Sequence, residues 1–210
     1  MMNSRQRLKP FMLFERGRAT LLATLVAAAS SSYGQQVARP AAADFHAGDR
    51  WEWRQVDSHS KGETGRFTRT IVARDGELRI ADSVCGEMSL ASAFTLDCDK
   101  VAAKPWRAWP LEVGRKWSTD VDWTRPDGAS GNTSQDAVVA ALEDVTVPAG
   151  TYKAYRIELD GWYRNSRGGH GRQRDVFWYV PELHADVKHT RDDGYNQYTR
   201  ELVSFRPATP

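Results

Sequence analysis

Between Arg50 and Phe205 the chain almost never spaces its apolar residues three and four apart, as one face of a helix requires. Short alternating, β-branched and aromatic runs recur instead, separated by turn residues, and this pattern dictates strands. In Arg50 to Val56, Trp51, Trp53 and Gln55 fall on one face and Glu52, Arg54 and Val56 on the other. Lys61 to Gly65 reads as a turn. Arg66 to Arg74 alternates again, and Asp75-Gly76 is a hairpin turn into Glu77 to Val84. Met88 to Leu90 and Phe94 to Cys98 carry weaker strand signals, and Pro105 and Pro110 keep the tryptophan-rich stretch between them out of a central strand.

Gly114-Arg115-Lys116-Trp117 opens the second half, leading into a strand through Val121 and Trp123 that ends at Pro126-Asp127-Gly128. Ala129 to Asp136 reads as a polar loop. Ala137 to Val147 and Thr151 to Leu159 form a long hairpin about Pro148-Ala149-Gly150, and Trp162 to Arg164, Asp175 to Val180, Ala185 to Thr190 and Tyr198 to Phe205 complete the set. About ten to twelve strands with no intervening helix predict an all-β fold, a single antiparallel sheet curled into an open or closed barrel or packed as a sandwich. A parallel α/β architecture is excluded. Gly48-Asp49-Arg50-Trp51 and Gly114-Arg115-Lys116-Trp117 share a plan, a glycine and two polar residues before a tryptophan, which suggests two related halves.

The amino terminus is of another kind. Arg5, Arg7, Lys9, Arg16 and Arg18 precede an uncharged run, Ala19 to Ala29, and small residues stand before Gln35. Basic, apolar, then small is the order of a secretory signal peptide, expected over residues 1–34, with a flexible leader at 35–43 and one β domain at 44–208. The apolar run is shorter than the roughly 20 residues that span a bilayer, so no membrane span is expected in the mature chain. No cysteine follows it, so a lipidated amino terminus is not expected either. The full chain has 29 Lys and Arg against 27 Asp and Glu; removing five basic residues and one acid leaves 24 against 26, a net charge of −2. With no basic excess, nucleic acid is not an expected partner. The localisation expected is the periplasm or the medium.

Export places Cys85 and Cys98, the two cysteines of the chain, where thiols oxidise. A bridge between them closes a short loop and contributes roughly 3 kcal/mol in the chain-entropy picture. Their spacing is too wide for a redox pair.

Four segments carry a resemblance: Trp109 to Trp117, Val145 to Glu158, Phe177 to Leu183 and Arg200 to Phe205. In this order they resemble the TapB-like family, exported bacterial proteins of unknown function, over roughly residues 105 to 206. The resemblance implies an exported, mostly antiparallel β protein and brings no catalytic residue with it. Each motif also has a structural reason, as in Val147-Pro148-Ala149-Gly150-Thr151, where proline and glycine suit a tight corner between strands.

Chemistry-bearing patterns are sparse. His170, His184 and His189 lie near several acids, but on a strand His184 and Asp186 share a face while His189 points away, so the spacing does not gather metal ligands. Gly128-Ala129-Ser130-Gly131-Asn132 lacks the final glycine of a nucleophile elbow. No phosphate loop or dinucleotide fingerprint occurs, and no cofactor is expected. Eight tryptophans and seven tyrosines are the more telling feature. Several of them on a concave sheet would line an apolar groove, with Trp51, Trp53, Trp109 and Trp178 as candidate ligand-binding residues. The expected partner is a lipid or other amphipathic ligand, or another envelope protein, bound without catalysis. The alternatives are a hydrolase using carboxylates clustered in a barrel mouth, and a structural envelope protein that pairs through a sheet edge. The basic segment Arg164 to Arg174 reads as a solvated connection that could meet anionic head groups.

Overall fold

Ten strands make one antiparallel sheet in the computed structural model, which describes residues 36–90, 107–124 and 127–209. They are β1 (Arg50–Asp57), β2 (Glu63–Arg74), β3 (Glu77–Asp82), β4 (Gly86–Ser89), β5 (Lys116–Thr124), β6 (Ser130–Val147), β7 (Gly150–Asn165), β8 (His170–Val180), β9 (Ala185–Asp192) and β10 (Gln197–Arg206). Their order across the sheet is β4-β3-β2-β1-β10-β9-β8-β7-β6-β5. The first and last strands therefore pair in the middle, and the two outer strands, β4 and β5, are neighbours in sequence. The sheet is not closed: β4 and β5 form no ladder among the described residues.

Local sequence accounts for the hairpins. Asp75 and Gly76 take φ of 51° and 81°, both positive, as the tight turn between β2 and β3 requires. Gly150, at φ 140°, lets the chain turn from β6 into β7 after Pro148. The two tryptophan-led segments also bond alike. The Gly48 amide donates to the Ile71 carbonyl and the Ile71 amide to Asp49; the Gly114 amide donates to Val139 and the Val139 amide to Arg115. Each extends its strand's pairing with the next strand by one step.

The structure differs from the sequence reading in several places. Ala129 to Asp136 is not a loop, because Ser130 onward belongs to β6 and pairs with β5 on one side and β7 on the other. Its polar residues misled: most face outward, while Gln135 is buried. Trp162 to Arg164 is the end of β7 rather than a separate strand, and β8 begins at His170, so much of the basic segment is a paired hairpin. Asn165 Oδ1 accepts the Arg167 and Gly169 amides at its tip, and Arg172 and Arg174 both reach Asp160. In the segment read as a leader, Val37 and Leu111 exchange two backbone hydrogen bonds, at 2.9 and 2.7 Å. Residues 1–35 and the strand read at Phe94 to Cys98 lie outside the described residues.

The sheet curls on itself. Trp51 Nε1 donates to the Leu183 carbonyl at 3.0 Å and Trp53 Nε1 to the Asp186 carbonyl at 2.9 Å, both reaching from β1 past β10. Beyond Glu201, where the ladder to β9 stops, the Leu202 carbonyl accepts the Ala149 amide from the β6–β7 turn. Register shifts shape this curl. One at Ala140 separates the buried Ala137 and Val139 from the buried Val145 and Val147, which join different apolar clusters. The first cluster surrounds Trp51, Ile71, Ile80, Met88 and Leu202; the second surrounds Val139, Tyr155, Ile157, Phe177 and Tyr179. Each fully buried aliphatic side chain contributes roughly 1.5–3 kcal/mol. The described residues contain no helix long and apolar enough to cross a membrane.

Candidate functional site

A cavity opens on the inner face between β1, β2, β9 and β10. Trp51 and Trp53 from β1, Phe67 from β2 and Phe45, just before β1, supply aromatic walls. Trp53 stacks on Phe67 with ring centres 5.3 Å apart and planes at 11°, and Phe45 meets His184 at 5.3 Å. The cavity offers about 70 Å³ to water-sized molecules. That is room for roughly five waters, or for one ring or the end of one acyl chain, and too little for a two-chain lipid.

Polar groups converge on the same space. Arg69, Asp186, His189 and Arg200 all border it. The sequence placed His189 on the face opposite Asp186, and this was wrong. Between β8 and β9, Trp178 pairs with Lys188 and Tyr179 with Asp186, so Val187 is an extra, unpaired residue. That bulge brings Asp186 and His189 to one side, and His184, in a left-handed conformation at φ 50°, comes to the rim.

His189 belongs to a buried polar cluster. Its Nε2 lies 2.8 Å from Asp175 Oδ1, its ring stacks on Phe177 at 4.2 Å, and Tyr198 approaches edge-on at 5.5 Å. Asp175 also accepts from Arg191 Nε at 2.8 Å, Gln173 Nε2 at 2.7 Å and Gln135 Nε2 at 3.1 Å. Burial alone would raise the Asp175 carboxyl, but Arg191 and His189 outweigh it and hold it well below the usual carboxylate range. Burial lowers His189, against the pull of Asp175, so the imidazole is neutral at pH 7. A neutral ring beside a carboxylate donates from Nε2, which leaves Nδ1 the acceptor. Nδ1 is buried and without a hydrogen-bond partner among the described residues. The Tyr179 hydroxyl is likewise buried and unpartnered there.

The acids at this face are engaged. Asp82 pairs with Arg69 at 2.7 Å, Asp186 with Arg107 at 2.7 Å and Asp175 with Arg191. Arg200 is different. Its Nε donates to Gln55 Oε1 at 2.9 Å, and its guanidinium carbon sits 5.0 Å from the Phe67 ring and 4.8 Å from the Tyr198 ring. Among the described residues it has no ion-pair partner.

Of the tryptophans singled out from sequence, Trp51 and Trp53 line the cavity and the other two do not. Trp109 packs edge-on against Tyr179 at 5.4 Å in the second cluster, and Trp178 bonds Glu143 through Nε1 under Lys188. Phe45, Phe67, Arg69 and Arg200 went unnoticed, although the alternation of β2 and β10 places Phe67, Arg69 and Arg200 inward; His189 was weighed only as a metal ligand. Cys85 packs half-buried against the first cluster, and no free cysteine occurs among the described residues; Cys98 lies outside them. His170 stands exposed at the start of β8, and the described residues contain no cluster of three potential metal ligands.

Comparison with known proteins supports the architecture. A protein assigned as a lipoprotein from Parabacteroides distasonis superposes with a TM-score of 0.56 at 13% identity, covering 82% of this chain and all of that one. The likeness is one of fold. An exported protein with a YmcC-like fold from Bacteroides fragilis (TM-score 0.46, 9% identity, 82% of this chain and all of that one) and the hypothetical lipoprotein YmcC from Escherichia coli (0.39, 12%, 78% and 85%) are more distant. No protein-family model and no curated protein matches the chain.

Proposed function

We propose that this is an exported, TapB-like protein of the bacterial envelope that holds a small hydrophobic or amphipathic ligand in the inner-face cavity, without catalysis. The observation that carries the reading is an aromatic-walled cavity bordered by Arg200, a cation with no acid on it among the described residues. Apolar walls with a few convergent polar groups are the usual make-up of small-molecule sites. Cleavage before Gln35 would release the β domain, and a Cys85–Cys98 bridge would fasten the segment that follows β4. The hydrolase alternative gains no support, because Asp82, Asp175 and Asp186 are each neutralised by an arginine rather than left to share a proton.

The test is native mass spectrometry of the exported protein, purified without detergent, before and after mild organic extraction. A small-molecule mass that extraction removes is the expected result. A bare monomer before extraction, together with no change of tryptophan emission on adding amphiphiles, would overturn the proposal.

A further inference from the structure

The geometry points to the chemical class of that ligand: a monoanionic amphiphile, a carboxylate on a single apolar tail, bound with its carboxylate on the outer edge of Arg200 and its tail between Trp51, Trp53 and Phe67. The inference rests on the cavity being the ligand site.

Two features select the head group. Arg200 uses Nε on Gln55, and Phe67 and Tyr198 lie within cation–π range of its guanidinium. What remains is the pair of terminal nitrogens, a flat edge with two parallel donors, which matches the two oxygens of a carboxylate. Charge selects further. Arg69 is matched by Asp82, Asp186 by Arg107, and His189 is kept neutral by burial, so among the described residues Arg200 supplies the one surplus charge at the cavity. One negative charge completes it, and a second would be left without a partner in a partly desolvated site. The tail is set by the walls, which are aromatic and aliphatic, and by a volume that admits the end of one chain.

Titrating the exported, delipidated protein with octanoate, octanol and octyl phosphate at pH 8, read by tryptophan emission and calorimetry, tests this. Octanoate should bind at least tenfold more tightly than octanol and more tightly than octyl phosphate. Arg200→Gln should reduce octanoate to the affinity of octanol while leaving octanol unchanged. Equal binding of octanoate and octanol, or tighter binding of octyl phosphate, overturns the head-group assignment and leaves the cavity reading standing. If none of the three binds, the cavity reading itself fails. Should Arg200→Gln not fold, as judged by near-ultraviolet circular dichroism, the comparison of the three head groups on the unaltered protein decides alone.

Discussion

Replacing Asp175 with asparagine tests whether the inner polar cluster is held by charge. The carboxylate is buried and receives four donors, from His189, Arg191, Gln173 and Gln135. Asparagine keeps one acceptor oxygen and turns an amide toward donors that need an acceptor. It also takes the Asp175 charge away from Arg191. Removing one partner of a buried pair costs about 3–5 kcal/mol, and the lower end applies because the Arg191 side chain is 18% exposed and can recover some hydration. With a urea slope of about 2 kcal/mol per molar, a loss of about 3 kcal/mol lowers the midpoint by roughly 1.5 M at pH 7. The pH dependence follows from the depressed Asp175 carboxyl. Its stabilisation is complete above the unfolded value near 4 and drains away as pH falls through the lower folded value, since the unfolded chain binds the proton first. The asparagine variant should lack this acid-side decline. A midpoint within about 0.4 M of the unaltered protein at pH 7 would refute the reasoning, since it would mean that the Asp175 charge does not hold the cluster together.

His189 should remain neutral in the folded protein as pH falls past 6.5, protonated on Nε2 at pH 7, which nitrogen-15 shifts of the ring report directly; because its folded value is depressed, stability falls as pH drops below about 6.5. Gly161→Ala should destabilise by about 3 kcal/mol or more in urea melts, since a Cβ there would lie 2.0 Å from the Ser134 carbonyl oxygen and 2.6 Å from Gln135 Cα, both backbone atoms of β6. Trp53→Phe removes the indole donor to the Asp186 carbonyl and should cost about 1–3 kcal/mol by the same melts, with Trp51→Phe similar through Leu183.

The strands were readable where alternation was clean and turn residues stood at both ends. Asp75-Gly76 and Pro148-Ala149-Gly150 marked their hairpins for this reason. β6 hid its first half because Ser130 to Ser134 are polar on both faces, and a strand that pairs on both sides through backbone alone leaves no period-two signature. The cavity was half readable. Trp51 and Trp53 stood out as residues, but the partners that complete the site come from β2, β9 and β10, and sheet order is not written in any one strand. His189 was placed wrongly because one extra residue, Val187, reverses the parity that sequence spacing assumes. No local pattern announces such a bulge.

The pairing of β1 with β10 sets the order in which the molecule can be completed. Four strands and six strands form separate meanders, and what unites them is the ladder between Arg50–Asp57 and Gln197–Arg206. Contacts this far apart in sequence form late and slowly. A chain still emerging from the ribosome, or threading through a translocation pore, therefore has two half-sheets with raw edges at β1 and β9 until its final residues arrive. Shortening the carboxy terminus by fourteen residues, from Gln197 on, would not trim a border; it would take out the fifth of ten strands and with it Arg200 and one wall of the cavity.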